Sequence, residues 1–160
     1  MTIKVGDRVP SVTFYRMTDD GPAPVTSDEL FKGKRVALFA LPGAFTPTCS
    51  AQHLPGYVAA ADRLAEKGVD TIACVSVNDA FVMGAWGRDQ KVGDKVLLLA
   101  DGNGDFTRAV GLEFDLSARG LGLRSQRYSM LVEDGVVKSL HLDASGALET
   151  SDAETLLGDL

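Results

Sequence analysis

Cysteine is scarce in this chain: Cys49 and Cys74 are the only two in 160 residues. That is too few for a disulfide framework, so each thiol is either core filling or chemistry. Histidine is equally sparse, with His53 and His141 alone, which leaves little material for a metal site. The longest strongly apolar run, Val36 to Leu41, falls far short of the roughly 20 residues needed to cross a bilayer. The opening MTIKVGDRVP lacks the apolar block and small-residue cleavage site of a signal peptide. No membrane association is expected, and the expected location is cytoplasmic. Basic residues are the minority, 16 Lys plus Arg against 22 Asp plus Glu, for a formal net charge of −6. That sign argues against nucleic acid as a partner.

What is present is ordinary for a globular enzyme. Apolar residues make up 45% and charged residues 24%, close to the averages for soluble domains. A chain of this length buries enough surface to fold without staples, so one domain over residues 1–160 is expected. Val36 to Leu41, Thr71 to Val77 and Val96 to Ala100 are continuous apolar runs, the pattern of strands buried on both faces. Between the first two, Leu54, Tyr57, Val58, Ala61, Leu64 and Ala65 recur at helical spacing up to Gly68, which completes a βαβ unit. Asn78 or Asp79 can cap a second helix and Asp105 a third. After Leu116 the sequence becomes a connection rich in Gly and Arg, SARGLGLRSQ, which reads as a flexible loop. Tyr128 to Glu133 and Val136 to Leu142 then read as a hairpin turning at Asp134-Gly135. A helix from about Ser151 to Leu157 closes the chain, and a hairpin is expected near Val12 to Phe14. The fold class is α/β, with parallel strands at one end of the sheet and an antiparallel hairpin at the other.

The segment from Leu41 to Ser50 lies between the first long strand and the first long helix, where reactive groups collect in open α/β sheets. Cys49 falls in the first turn of that helix. Unpaired N–H groups and the positive end of the helix dipole favour an anion there, which raises the thiolate fraction above the small share a free thiol carries. Thr46 stands three residues earlier, where a thioredoxin-like dithiol would have its other cysteine. The loop can therefore close no internal disulfide, but it offers a hydroxyl beside the sulfur. Pro42 and Pro47 stiffen it, and Pro55 predicts a kink one turn beyond Cys49.

The run PGAFTPTCSAQHLPGY closely resembles the active-site signature of the peroxiredoxins, specifically the type-five branch that includes the plant type II enzymes. ACVSVND around Cys74, ADGNGDFT from Ala100 and RSQRYSML from Arg124 are similar to the same branch, so the likeness covers nearly the whole chain. It implies a thioredoxin-like sandwich with a mixed central sheet and helices on both faces, peroxide reduction by cysteine without a cofactor, and a homodimer. By that resemblance Cys49 is the peroxidatic cysteine, Thr46 its hydrogen-bonding hydroxyl, Pro42 the shield of the pocket and Arg127 the cation of the site. The chemistry agrees. A thiolate attacks one peroxide oxygen while the other leaves with developing negative charge, and donors from Thr46, the Cys49 N–H and Arg127 would stabilise that state.

The sulfenic acid left on Cys49 must be reduced by another thiol. Animal members carry a resolving cysteine near the carboxyl-terminal helix, whereas Asp143 to Leu160 has none here. Cys74 is the one internal candidate, yet its apolar strand suggests a buried, inert thiol. Members with this cysteine pattern imply glutathione or glutaredoxin as electron donor, with thioredoxin as the alternative. Other readings are a peroxide sensor with incidental turnover and a cysteine hydrolase with His53 or His141 as base. His53, four residues past Cys49, is expected at the pocket rim or an interface rather than on a metal. Asp101 to Asp105 imitates a calcium loop but has Phe106 and Leu112 where Gly and Glu are required, so a helix-capping turn is expected. Leu112, Phe114, Leu116, Leu121 and Leu123 either cover the core or form a dimer patch.

Overall fold

The computed structural model describes residues 2–144 and 146–160. The chain opens with a hairpin of β1 (Thr13–Thr18) and β2 (Gly21–Thr26), followed by the short α1 (Ser27–Phe31) and β3 (Arg35–Ala40). A π-helical turn over Cys49–His53 runs into α2 (Leu54–Glu66), and then come β4 (Thr71–Ser76), α3 (Ala80–Asp89), β5 (Leu97–Ala100) and α4 (Asp105–Ala109). A small ribbon of β6 (Glu113–Asp115) and β7 (Leu123–Ser125) precedes the hairpin β8 (Arg127–Glu133) and β9 (Val136–Asp143), and α5 (Ala153–Leu157) ends the chain.

One seven-stranded sheet runs in the order β2-β1-β5-β4-β3-β8-β9. β4 lies between β3 and β5, parallel to both, while β1 and β8 attach antiparallel on either side. The parallel strands are therefore central, not at one end as the sequence suggested, because the amino-terminal hairpin docks on β5. Alternation along β3 shows why it reads as continuously apolar. Ala37 and Phe39 face the side covered by α2, α3 and α5, while Val36, Leu38 and Ala40 face α1 and α4. Both faces are buried, and each fully buried large apolar side chain contributes about 1.5–3 kcal/mol.

Local chemistry explains most element ends. Thr26 and Glu29 form a reciprocal capping box at α1, and Asp79 caps α3 by accepting from the Val82 N–H. Asp101, rather than Asp105, organises the start of α4: its carboxylate accepts from the Phe106 and Thr107 N–H groups and the Thr107 hydroxyl. The β8–β9 turn has Asp134 at φ 47° and Gly135 at φ 79°, both positive as a type I′ hairpin requires. The connection read as a flexible loop is in fact the β6–β7 ribbon, with Phe114 opposite Arg124. Leu112 is buried and Phe114, Leu116, Leu121 and Leu123 are half-buried. The large exposed apolar side chains include Phe45, Phe81 and Tyr15.

Candidate active site

β3 delivers the chain into a short loop pinned from beneath by Asn78, whose side-chain carbonyl accepts from the Ala44 N–H at 3.0 Å and the Ser76 hydroxyl at 2.6 Å. Phe45 at the loop tip has φ 64°, a left-handed conformation that is strained for a bulky residue. The Thr46 carbonyl accepts from the Ser50 N–H at 3.0 Å, and the chain is helical from Pro47. Proline suits that first position because it has no N–H to leave unpaired. Thr48 and Cys49 follow in the first turn, so their N–H groups have no intrahelical acceptor. Trp86 ties this turn to α3 by donating from Nε1 to the Ser50 hydroxyl at 3.0 Å. At the place where the sequence suggested a kink, just before Pro55, the helix carries a π-turn, in which the Leu54 N–H reaches the Cys49 carbonyl. Pro55 follows directly, one residue into α2, so the wider π-turn lies where the proline ring and its missing N–H would disturb a regular α-helical ladder.

Cys49 is buried, and its sulfur accepts a hydrogen bond from Arg127 Nη2 at 3.2 Å. Arg127 begins β8, the strand paired with β3, so the cation approaches from the adjacent strand, 78 residues away in sequence. Its other groups are also engaged: Nε donates to the Gly146 carbonyl at 3.0 Å and Nη1 to His53 Nδ1 at 2.8 Å. Arginine only donates, so Nδ1 must be the bare nitrogen of a neutral imidazole, and Nε2 carries the hydrogen given to the Ser151 carbonyl at 3.0 Å. Burial and the Arg127 charge push the His53 imidazole down from 6.5 to about 3, in keeping with that neutral tautomer.

The two carbonyls that fix Arg127 and His53 come from one loop, and Asp143 shapes it. Its carboxylate accepts from the N–H groups of Glu149, Thr150 and Ser151 and from the hydroxyls of Thr150 and Ser151. Burial would raise this carboxyl, but the Ser151 and Thr150 hydrogen bonds outweigh it and hold the group at about 2. Tyr57 also donates to the Ser151 carbonyl at 2.9 Å and stacks flat on Phe39 at 3.9 Å between ring centres. This packing walls the inner side of the site.

Thr46 donates its hydroxyl hydrogen to the Gly43 carbonyl at 2.6 Å. Its hydrogen is thus committed to that carbonyl, which leaves the oxygen as an acceptor and not the free donor the sequence suggested. Pro42 is half-buried, and its carbonyl accepts from Arg124 Nη1 at 3.4 Å. Cys74 is buried opposite Phe39 on the same face of the sheet as Cys49. Burial, reinforced by Cys49, pushes its thiol up, as expected of an inert cysteine. His53 corrects the sequence reading: it is buried in the core, not on a rim, and both ring nitrogens are engaged. Its spacing from Cys49 was visible, but nothing local announces a carbonyl 98 residues away. Asp143 went unread for the same reason. His141 lies away from this cluster and pairs with Asp159 at 2.5 Å.

A protein-family model described as Redoxin matches residues 4–157. The chain is 55% identical to Peroxiredoxin-2E-2, chloroplastic, of Oryza sativa subsp. japonica over 161 residues, covering 98% of this chain and 72% of that protein. It is 52% identical to Peroxiredoxin-2E, chloroplastic, of Arabidopsis thaliana, covering 98% and 68% respectively. Among solved structures, reduced Prx3 of Vibrio vulnificus in complex with hydrogen peroxide superposes with a TM-score of 0.94 at 52% identity, covering 99% of each chain. The expectation of a cytoplasmic location is overturned by the two plant relatives, both chloroplastic.

Proposed function

The chain belongs to the peroxiredoxins, in the type-five branch with the plant type II enzymes, and is a thiol peroxidase of thioredoxin-like fold; on that footing we propose how its residues divide the work. Cys49, as thiolate, attacks the terminal oxygen of a hydroperoxide. The S–O bond forms as the O–O bond breaks, the alkoxide or hydroxide leaves and takes a proton to become alcohol or water, and Cys49 is left as sulfenic acid. Arg127 neutralises the thiolate and follows the charge as it passes to the departing oxygen. Thr46 accepts a hydrogen bond from the peroxide O–H and so turns the terminal oxygen towards sulfur. The first-turn N–H groups supply further donors, and Pro42 shields the site. Residues 1–160 act as one domain.

The observation that carries this reading is the 3.2 Å contact between Arg127 Nη2 and the Cys49 sulfur, with the same guanidinium fixed by His53 and Gly146. A cation held on three sides keeps its geometry through the reaction without reorganising, which is where electrostatic catalysis gains. For recycling, glutathione with glutaredoxin is the donor proposed. A first thiol condenses with the sulfenic acid to give a mixed disulfide and water, and a second thiol displaces Cys49. The high-lying, buried Cys74 thiol supports an external donor. A homodimer is also proposed, through the exposed Phe45 and Phe81. Phe45 sits on the loop that Asn78 pins, and Phe81 is in the first turn of the neighbouring α3.

Intact mass after one equivalent of peroxide tests the cysteine assignment. An added oxygen on Cys49, converted to a glutathione adduct when glutathione is present, is the expected result. Loss of two hydrogens would instead mean that Cys74 closes a disulfide. Steady-state turnover with glutathione plus glutaredoxin against thioredoxin decides the donor.

A further inference from the structure

From the surroundings of Arg124 we infer a carboxylate-binding subsite at the edge of the Cys49 site, an inference that rests on the thiol-peroxidase reading above. The β6–β7 ribbon holds Arg124 opposite Phe114, and its guanidinium is fixed on two backbone carbonyls, Nε on Leu121 at 3.0 Å and Nη1 on Pro42 at 3.4 Å. It lies directly over Gly43: a Cβ added there would sit 2.8 Å from Arg124 Nη1 and 3.2 Å from Thr46 Cγ2. The same glycine is therefore flanked by Arg124 and by the hydroxyl residue of the reaction centre.

Burial together with charge sets this arginine apart: Arg8, Arg16, Arg88 and Arg119, which also have no carboxylate within ion-pair distance among the described residues, are all exposed. Arg35, Arg63 and Arg108 pair with Glu133, Glu154 and Asp105, and Arg127 faces the sulfur. Arg124 has no carboxylate partner among the described residues, although the chain carries a net charge of −6. It is half-buried, so it is partly desolvated and still reachable. A preorganised guanidinium with unsatisfied donors matches a carboxylate better than any neutral group. Hydrogen peroxide carries no carboxylate for it to pair with. Two classes of reactant do: a small peptide thiol ending in carboxylates, such as glutathione, and a hydroperoxide that bears an acid group. Held by its carboxylate at Arg124, either one brings its reacting end towards Cys49.

Stopped-flow kinetics on wild type, Arg124→Gln and Arg124→Lys separate the two sources. One arm compares reduction of the Cys49 sulfenic acid by glutathione and by the neutral β-mercaptoethanol. The other compares oxidation by linoleic acid hydroperoxide and by tert-butyl hydroperoxide. In at least one arm the charged-to-neutral ratio of rate constants is expected to fall about fivefold in Arg124→Gln, the order of a part-exposed ion pair. It should recover partly in Arg124→Lys, and raised salt should erase the wild-type advantage. Equal losses for charged and neutral probes would make Arg124 a prop for the loop and overturn the subsite, as would unchanged ratios in both arms. Failure of glutathione to reduce even the wild-type sulfenic acid would instead overturn the donor assignment, and the hydroperoxide arm would still decide the subsite.

Discussion

Protonating His53 should destabilise this protein by a calculable amount. The imidazole is fully buried, accepts from Arg127 and donates to Ser151, and its ionisation is pushed down to about 3 from 6.5. A proton on Nδ1 would remove the acceptor that Arg127 needs and set two cations against each other. Because the folded protein resists that proton and the unfolded chain does not, this contribution to stability is complete above pH 6.5 and drains away as pH falls towards 3. The slope is about 1.4 kcal/mol per pH unit, so about 2 kcal/mol is lost by pH 5 and about 5 kcal/mol over the whole interval. Urea unfolding at pH 7, 6 and 5 measures it. His53→Gln can still accept and donate but cannot titrate, so its stability at pH 7 is lower while its fall towards pH 5 is shallower by about 2 kcal/mol. Parallel profiles for the two proteins would refute the reasoning.

Thr46→Val and Arg127→Gln should each slow sulfenic acid formation at least about tenfold, since loss of one polar group at such a centre typically costs about 2.7–4 kcal/mol; Thr46→Ser should recover most of the rate, all read by stopped-flow fluorescence. Cys74→Ala should keep turnover with an external thiol while losing about 1–2 kcal/mol of stability to the cavity it leaves, measured by peroxide consumption and urea unfolding. Asp143→Asn should release the loop that aims Gly146 and Ser151, lowering the peroxide rate without touching the sulfur. It should also flatten the acid limb of the stability profile, because a carboxyl held at about 2 stabilises the fold above its ordinary 3.8 and loses that effect as pH falls towards 2.

The βαβ unit and the β8–β9 hairpin were legible because their signals are local: apolar runs, helical periodicity, and Asp134-Gly135 at a turn. The capping box at Thr26 and Glu29 was equally local, but a five-residue helix shows too little periodicity to draw attention to it. The order of strands in the sheet was not legible, because docking β1 on β5 is a contact between distant segments with no turn to announce it. The β6–β7 ribbon hid among glycines that suggested freedom, whereas Gly120 and Gly122 supply the positive φ angles of its tight return. Around the proposed reaction centre, residue type and resemblance singled out Cys49, Thr46 and Arg127, and the structure brings Arg127 onto the Cys49 sulfur. The tautomer of His53 and the spent hydrogen of Thr46 were not, since both depend on which carbonyl faces the group.

Arg127 meets Cys49 only across the β3–β8 pairing, and the loop that steadies it comes later still. As the polypeptide leaves the ribosome, the sulfur emerges long before its cation, and a nascent chain therefore exposes only an ordinary, sluggish thiol. On the proposed division of roles, reactivity towards oxidants arrives with the finished tertiary structure, which spares an unfinished molecule from damage at that sulfur.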